Sequence, residues 1–140
     1  MRAVGIIIKD DKILLMHRFK KRREYWVFPG GGIKRGEKPE GALIREMKEE
    51  TSLNVKIDKL LFKLENQFKK EYGGNVFGDA LEYYFLIKEF SGKMALGWPE
   101  RGRMNANNRY YLEWGELSKI KEILTLYPKK AVEKVLELAK

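Results

Sequence analysis

The stretch PEGALIREMKEET, residues 39–51, decides the fold of this chain. Its residue types favour a helix, and Pro39, the stretch's sole proline, suits a first turn. At about 100° per residue, its apolar and acidic side chains fall on two neighbouring arcs of that helix. We therefore predict a helix with an apolar face of Leu43, Ile44, Met47 and Thr51 and an acidic face of Glu46, Glu49 and Glu50.

The acidic face calls for a counter-charge. Its carboxylates repel one another, and Arg45, four residues before Glu49, relieves only part of that repulsion. A solvated charged surface is the simplest interpretation, and a bound divalent cation is the alternative that removes the conflict. The chain has no cysteine and a single histidine, His17, so any metal must have oxygen ligands. Oxygen ligands favour Mg²⁺, with Mn²⁺ as the second choice.

The composition limits the classes of protein to which this chain can belong. With 140 residues, 44% of them hydrophobic and 35% charged, we expect one domain over residues 1–140. The excess of 29 basic over 20 acidic residues favours an anionic partner, although solubility alone would also account for it. The longest apolar runs, such as residues 4–8, are too short to cross a bilayer, and charge comes too early for a signal peptide. We expect a cytoplasmic protein with no membrane partner.

Strand patterns lie on both sides of the predicted helix, which is typical of an α/β fold with a mixed sheet covered on two faces. Polar or glycine-containing segments at residues 19–25, 69–79 and 97–109 are predicted as loops, and His17 is placed at a strand end without a chemical role. Strands are predicted at residues 2–9, 12–18, 26–28, 55–65, 80–90, 93–96 and 109–117, and a closing amphipathic helix at 127–140.

The helix and the glycines before it form one pattern. The pattern consists of Gly31, five residues, Glu37, seven residues and then REMKEETSL, residues 45–53. This resembles the signature of the Nudix hydrolases, the MutT-like family, at every position except the last glycine, which here is Ser52. WVFPGGG, EYYFLI and the segment from LGWPE to LYP extend the resemblance over nearly the whole chain. It implies an α/β/α sandwich around a mixed β-sheet.

Ser52 stands where the family's glycine lets the chain leave the helix with a positive φ. A serine in that conformation costs on the order of 1 kcal/mol. We expect the substitution to affect the helix end rather than the carboxylates.

The resemblance implies a Mg²⁺-dependent hydrolase that cleaves the diphosphate linkage of a nucleoside diphosphate joined to another group. It implies that Glu49 and Glu50 are the main metal ligands and that Glu46 is a further ligand or the general base. Arg45 would orient a carboxylate, and Glu37 would support the loop or bind an additional metal. The backbone carbonyl of Gly31 would complete the coordination sphere.

Further candidates lie outside this signature. Glu100, in the predicted loop, is a second candidate base, and Glu82, on a predicted strand, is the next candidate. The alternative is a solvated loop charge for Glu100 and an outward-facing strand residue for Glu82. The basic run at residues 18–23 adjoins Tyr25 and Trp26, which suggests phosphate contact with aromatic stacking, or else a solvated loop. The substrate-binding candidates are Arg18, Arg23, Trp26 and Glu82.

Three functions remain open at this point. The first is hydrolysis of a nucleotide-like small molecule, such as a nucleoside triphosphate, ADP-ribose, a dinucleoside polyphosphate or a nucleotide sugar. The second is a non-catalytic Nudix-like module that binds a nucleotide or RNA as a regulator, which would not need intact carboxylates. The third is an RNA-directed, decapping-type hydrolase. The resemblance also admits a homodimer.

Overall fold

The computed structural model describes residues 1–73, 80–95, 104–105 and 107–139. These residues form nine β-strands, three α-helices and one 3₁₀ helix. The strands are β1 (Arg2–Ile6), β2 (Ile8–Lys9), β3 (Lys12–Lys20), β4 (Arg23–Val27), β5 (Gly30–Gly32), β6 (Asn54–Glu65), β7 (Leu81–Ser91), β8 (Asn108–Glu116) and β9 (Leu126–Tyr127). The α-helices are α1 (Pro39–Thr51), α2 (Gln67–Tyr72) and α3 (Lys129–Leu138), and the 3₁₀ helix is Leu117–Glu122.

The strands form two sheets with mixed pairing. The first sheet has the order β5-β1-β7-β6, in which β1 pairs parallel to β7 and antiparallel to β5. The second has the order β2-β3-β4-β9, with β8 antiparallel to β3 and β9 parallel to β4. The expected α/β fold with mixed pairing is therefore present, and its strands are divided between two sheets.

Helices α1 and α3 pack against different cores. Met47 and Leu43 of α1 are buried in a cluster with Ala3 and Ile7. Gly5 lets α1 come close, because a Cβ there would lie 3.3 Å from the Met47 sulfur. Val4 and Ile6, which alternate along the chain with Ala3 and Ile7, face the second cluster. This cluster also contains Phe28, Ala131, Val132 and Val135.

Helix α1 has the bounds that the sequence predicts, Pro39–Thr51. The chain leaves it through Ser52 at φ 66°, in the left-handed region, and the Ser52 amide donates to the Lys48 carbonyl at 3.1 Å. Ser52 therefore adopts the conformation that the family's glycine would adopt, and the expected change at the helix end is confined to the strain of a serine in the left-handed region. Ile44 was assigned to the apolar face wrongly, since its side chain is 46% exposed. The buried arc instead includes the Glu50 carboxylate.

Three other element predictions are wrong. The basic segment 19–25 is not a loop, because β3 and β4 continue to Lys20 and Arg23 and pair there as a hairpin, while β8 pairs along the other edge of β3. Part of the predicted loop 69–79 belongs to α2, whose Phe68 and Tyr72 pack on Tyr25; such aromatic packing stabilises a helix too short to form alone. Residues 93–95 are not a strand: the Ala95 amide donates to Thr51 at the end of α1.

The predicted loop 97–109 lies largely outside the described residues, and its last two residues, 108 and 109, belong to β8. Within the described part of the chain, none of the helices combines the length and apolar character that crossing a bilayer requires.

Candidate active site

Strand β5 brings three glycines against β1 and helix α1. Gly31 pairs with Ala3 in the β1–β5 ladder. It also faces the Glu46 carboxylate of α1 so closely that a Cβ at position 31 would overlap that group. Gly31 therefore leaves space that the Glu46 carboxylate occupies.

Arg45 gathers the acidic residues of this region. Its Nε donates to Glu37 Oε2 at 2.8 Å and its Nη2 to Glu37 Oε1 at 2.9 Å, a two-pronged contact. Its Nη1 donates to Glu46 at 2.8 Å and to Glu49 at 3.2 Å. Its Nη2 also donates to the Gly32 carbonyl at 3.0 Å, which ties the helix to β5. One guanidinium thus contacts three carboxylates, which would otherwise repel one another.

These contacts shift the charges of the site. Hydrogen bonds from Arg45 and from the Lys34 backbone amide lower the pKa of Glu37 from 4.5 to about 2. In return, the hydrogen bonds to Glu37 and Glu46 raise the pKa of Arg45 above its ordinary value. At neutral pH the cluster is therefore fully ionised at these two residues.

Glu50 is held separately. Its side chain is buried, and Oε1 accepts a hydrogen bond of 2.7 Å from the Gly30 amide. Gly30 itself has φ 154°, and a Cβ there would overlap the Ala3 carbonyl oxygen. Position 30 therefore suits only glycine, and its amide holds the Glu50 carboxylate.

The arrangement fits a divalent cation in its chemistry. Glu46, Glu49 and Glu50 project from one helix beside Gly31 and provide oxygen donors, the kind that Mg²⁺ and Mn²⁺ prefer. In the side-chain positions described, no three acidic or histidine side chains are grouped tightly enough to hold one ion. Arg45 draws two of the three carboxylates to itself, so binding an ion there would require these contacts to loosen.

Glu82 has a different environment from the one that the sequence suggested. It lies on β7 and is only 4% exposed, so it is not an outward-facing strand residue. Its carboxylate accepts hydrogen bonds from the Phe68 amide at 2.7 Å and from the Tyr84 hydroxyl at 2.9 Å. In the ladder Glu82 stands opposite Arg2, which also pairs with Gly32, so β1 separates it from β5.

The other substrate-binding candidates lie on the β3–β4 hairpin. The Arg18 guanidinium lies 4.3 Å from the Tyr110 ring centre, and among the described residues its buried Nε has no hydrogen-bond partner. Arg23 lies 3.7 Å from the Tyr72 ring centre and donates to the Tyr72 carbonyl at 2.9 Å. Trp26 stacks on His17 with ring centres 3.8 Å apart. Arg18 and Arg23 therefore lie on one face of the sheet and Trp26 on the other, and none of the three shares a contact with Arg45.

Glu100, the second candidate base, lies outside the described residues. Sequence reasoning did not identify the Gly30 amide and the Gly32 carbonyl, which hold Glu50 and Arg45. Both are backbone groups, so only the run of glycines hinted at them.

A sequence profile described as the NUDIX domain matches residues 1–132. The chain belongs to the NUDIX domain family. This confirms the family to which residues 31–53 pointed.

Known proteins similar to this NUDIX domain include an RNA pyrophosphohydrolase of Saccharophagus degradans, 51% identical over 51 residues, which are 36% of this chain and 30% of that protein. Diphosphoinositol polyphosphate phosphohydrolase 2 of Mus musculus is 37% identical over 62 residues, 44% of this chain and 34% of that protein. The matches therefore span about a third of each curated relative.

Among solved structures, the MutT NUDIX hydrolase from Burkholderia pseudomallei superposes with a TM-score of 0.67 at 22% identity. The alignment covers 99% of this chain and 96% of that one. At this identity the likeness shows the fold, and it confirms the predicted NUDIX architecture.

Proposed function

We propose that residues 1–140 form a single NUDIX domain that hydrolyses the diphosphate linkage of a nucleoside diphosphate joined to another group. The observation that carries this proposal is the cluster in which Arg45 contacts Glu37, Glu46 and Glu49 beside Gly31. A solvated charged face would not need a glycine to make room for one of its carboxylates. Membership of the NUDIX family supports the same reaction.

The proposed cofactor is a divalent cation, Mg²⁺ or Mn²⁺. Glu46, Glu49, Glu50 and the Gly31 carbonyl would hold it, with Glu37 as a supporting residue or an additional ligand. When bound, such an ion neutralises diphosphate charge and lowers the pKa of water.

The residues of the chain have distinct tasks in this scheme. Arg45 keeps Glu46 and Glu49 on one side of α1 and fastens that side to β5 through the Gly32 carbonyl. The Gly30 amide fixes the direction of the Glu50 carboxylate. Glu46, which lies over Gly31, is the proposed acceptor of the proton from the attacking water, with Glu100 as the alternative base.

The preferred substrate is a nucleotide-like small molecule. A 5′-phosphorylated RNA is the second candidate, favoured by the 51% identity to an RNA pyrophosphohydrolase over 51 residues. The basic run Lys20–Arg23 also suits such a substrate.

The test is a panel of nucleoside triphosphates, ADP-ribose, dinucleoside polyphosphates, nucleotide sugars and a 5′-triphosphorylated RNA, each incubated with Mg²⁺. We expect cleavage of at least one compound, and Glu50→Gln should slow it about a hundredfold. Glutamine can still accept the hydrogen bond from the Gly30 amide, so the fold should persist.

Glu40→Gln is the matched control, because it removes the same charge from an exposed position on the same helix. Its rate should equal that of the wild type. Equal rates for wild type and Glu50→Gln on every cleaved compound would contradict the assignment of Glu50, and no cleavage in the panel would contradict the function.

A further inference from the structure

A row of rings crosses the second sheet on one face. His17 on β3 pairs with Trp26 on β4 and with Tyr111 on β8, so the three side chains lie side by side. Phe19, two residues beyond His17, points to the same face. Its ring centre is 4.4 Å from that of His17 and 5.9 Å from that of Tyr111. We call these four residues the aromatic row.

The aromatic row is accessible. Tyr111 is 42% exposed, and the other three side chains are partly exposed. His17 and Trp26 stack on each other, with ring planes within 8°, and Trp26 also packs against the buried cluster that contains Val132. The accessible ring surface of the row is therefore that of Tyr111 and the partly exposed Phe19. The ring centres of Tyr111 and Phe19 lie 5.9 Å apart, so the two residues form a small accessible aromatic patch rather than one isolated exposed ring.

Positive charge borders this row. Lys20, Lys21, Arg22 and Arg23, all exposed, form the end of the β3–β4 hairpin. Lys21 and Arg22 lie in the turn just beyond Phe19, whereas Lys20 and Arg23 pair with each other and point to the opposite face of the sheet, where Arg23 contacts Tyr72. Arg109 on β8 lies 5.0 Å from the ring centre of Phe19. Among the ion pairs between described residues, none involves these five cations.

Two carboxylates also lie on this face, and both contact the histidine. Glu24 is 2.6 Å from His17 Nε2, and Glu113 is 3.4 Å from His17 Nδ1. They therefore hold the His17 ring in the row and leave the hairpin cations without a protein counter-charge in the described part of the chain.

We propose that the aromatic row and the hairpin end bind a single-stranded nucleic acid. Bases would stack on Tyr111 and Phe19, while phosphates would pair with Lys21, Arg22 and Arg109. An acidic protein segment would use the charges but not the flat rings, and a duplex would hide its base faces. This binding is separate from the hydrolysis proposed above, because it involves none of the carboxylates of α1.

The geometry calls for a ligand longer than a mononucleotide. Strand β4 alone separates Arg23 from Val27 by about 13 Å, at about 3.3 Å per residue. A ligand that contacts the hairpin end and continues along β4 therefore covers more than one nucleotide.

The test measures fluorescence anisotropy of a labelled oligouridylate of about ten nucleotides, a length within the usual site size, with EDTA present so that hydrolysis cannot interfere. We expect salt-dependent binding of this RNA and of the DNA of matching sequence, because stacking and phosphate contacts do not read the 2′-hydroxyl. The pre-annealed duplex should bind more weakly.

The first variants test stacking. Tyr111→Ala should weaken binding about tenfold, whereas Tyr111→Phe, which keeps the ring, should bind like the wild type. Thermal unfolding of both variants should resemble that of the wild type, since Tyr111 lies on the surface and outside the buried clusters.

The second variants test the charges. Lys21→Asn with Arg22→Asn should weaken binding and reduce the salt slope by about 0.7 per lost phosphate contact. Asparagine is chosen because Lys21 has φ 57°, which asparagine tolerates. The control, Lys56→Asn with Lys59→Asn, removes two exposed charges from β6 and should bind like the wild type.

Hydrolysis and binding can fail independently in these experiments. Absence of oligouridylate binding at about 50 mM salt would overturn the inference while leaving hydrolysis untouched. Equal affinity of wild type and Tyr111→Ala, or equal weakening by both pairs of charge variants, would show a diffuse attraction to a polyanion and would also overturn it.

Discussion

At the scale of single residues, three identical glycines have three different surroundings. A Cβ at Gly30 would overlap the Ala3 backbone, and one at Gly31 would overlap the Glu46 carboxylate. A Cβ at Gly32 would meet no atom within 4 Å among the described residues. The first glycine serves the fold, the second serves the site, and the third is not required sterically.

Alanine at each position should separate these roles. Gly31→Ala should fold like the wild type but lower hydrolysis about a hundredfold, because the flexible Glu46 side chain moves aside. Gly30→Ala should lose more than about 2 kcal/mol of unfolding free energy, since backbone atoms must move. Urea unfolding and hydrolysis rates measure both effects. Gly32→Ala is the control, and loss of activity there would contradict the steric explanation.

Glu37 makes a second residue-scale prediction, on pH. Its pKa is about 2 in the folded chain and 4.5 ordinarily, so its ionised form favours folding. That contribution is complete above about pH 5 and is lost as pH falls toward 2. The melting temperatures of wild type and Glu37→Gln should differ at neutral pH and converge at the acidic end. A difference that persists unchanged at pH 2 would refute the pairing with Arg45.

At the scale of elements, helix α1 ends in a conformation that suits glycine better than serine. Ser52 has φ 66° and ψ 10°, yet its amide still closes the helix on the Lys48 carbonyl. The helix therefore ends where the family's glycine would end it, with some strain retained at the serine.

Ser52→Gly should release that strain and raise the unfolding free energy by about 0.5 to 1 kcal/mol, the left-handed penalty less the added chain entropy. Urea denaturation measures the change, and Ser52→Ala should give no gain. Destabilisation by glycine would mean that the serine side chain makes a compensating contact.

At the scale of the whole molecule, residues 3–7, which are most of β1 and the residue after it, lie between two buried clusters. Ile6 packs in the cluster that contains α3, and Ile7 packs in the cluster that contains α1. Both are at most 1% exposed, so neither side of the segment faces water. Helices α1 and α3 therefore pack on opposite sides of this segment.

Ile6→Ala and Ile7→Ala should each lower the unfolding free energy by about 2 to 5 kcal/mol, because each leaves a cavity in a separate core. Ile44→Ala, at a 46% exposed site on α1, should change it by less than about 0.5 kcal/mol. A small effect at either Ile6 or Ile7 would contradict the placement of that residue in a buried core.

The sequence by itself determined the family and the bounds of α1. These depend on local spacing: helix periodicity, a proline at the start and a fixed distance from Gly31 to the acidic residues. The sequence also singled out Arg45 and the surrounding carboxylates as a group, because residues three and four apart on a helix are neighbours.

Only the tertiary structure decided which groups hold those carboxylates and whether the basic segment 19–25 forms a loop or part of two strands. The Gly30 amide and the Gly32 carbonyl reach α1 because β5 pairs with β1. The basic segment 19–25 is extended on both sides of the turn at Lys21 and Arg22, because β3 pairs there with β4 and β8, although its charged residues favour a loop. Both outcomes depend on hydrogen bonds between segments distant in sequence, which local patterns do not encode.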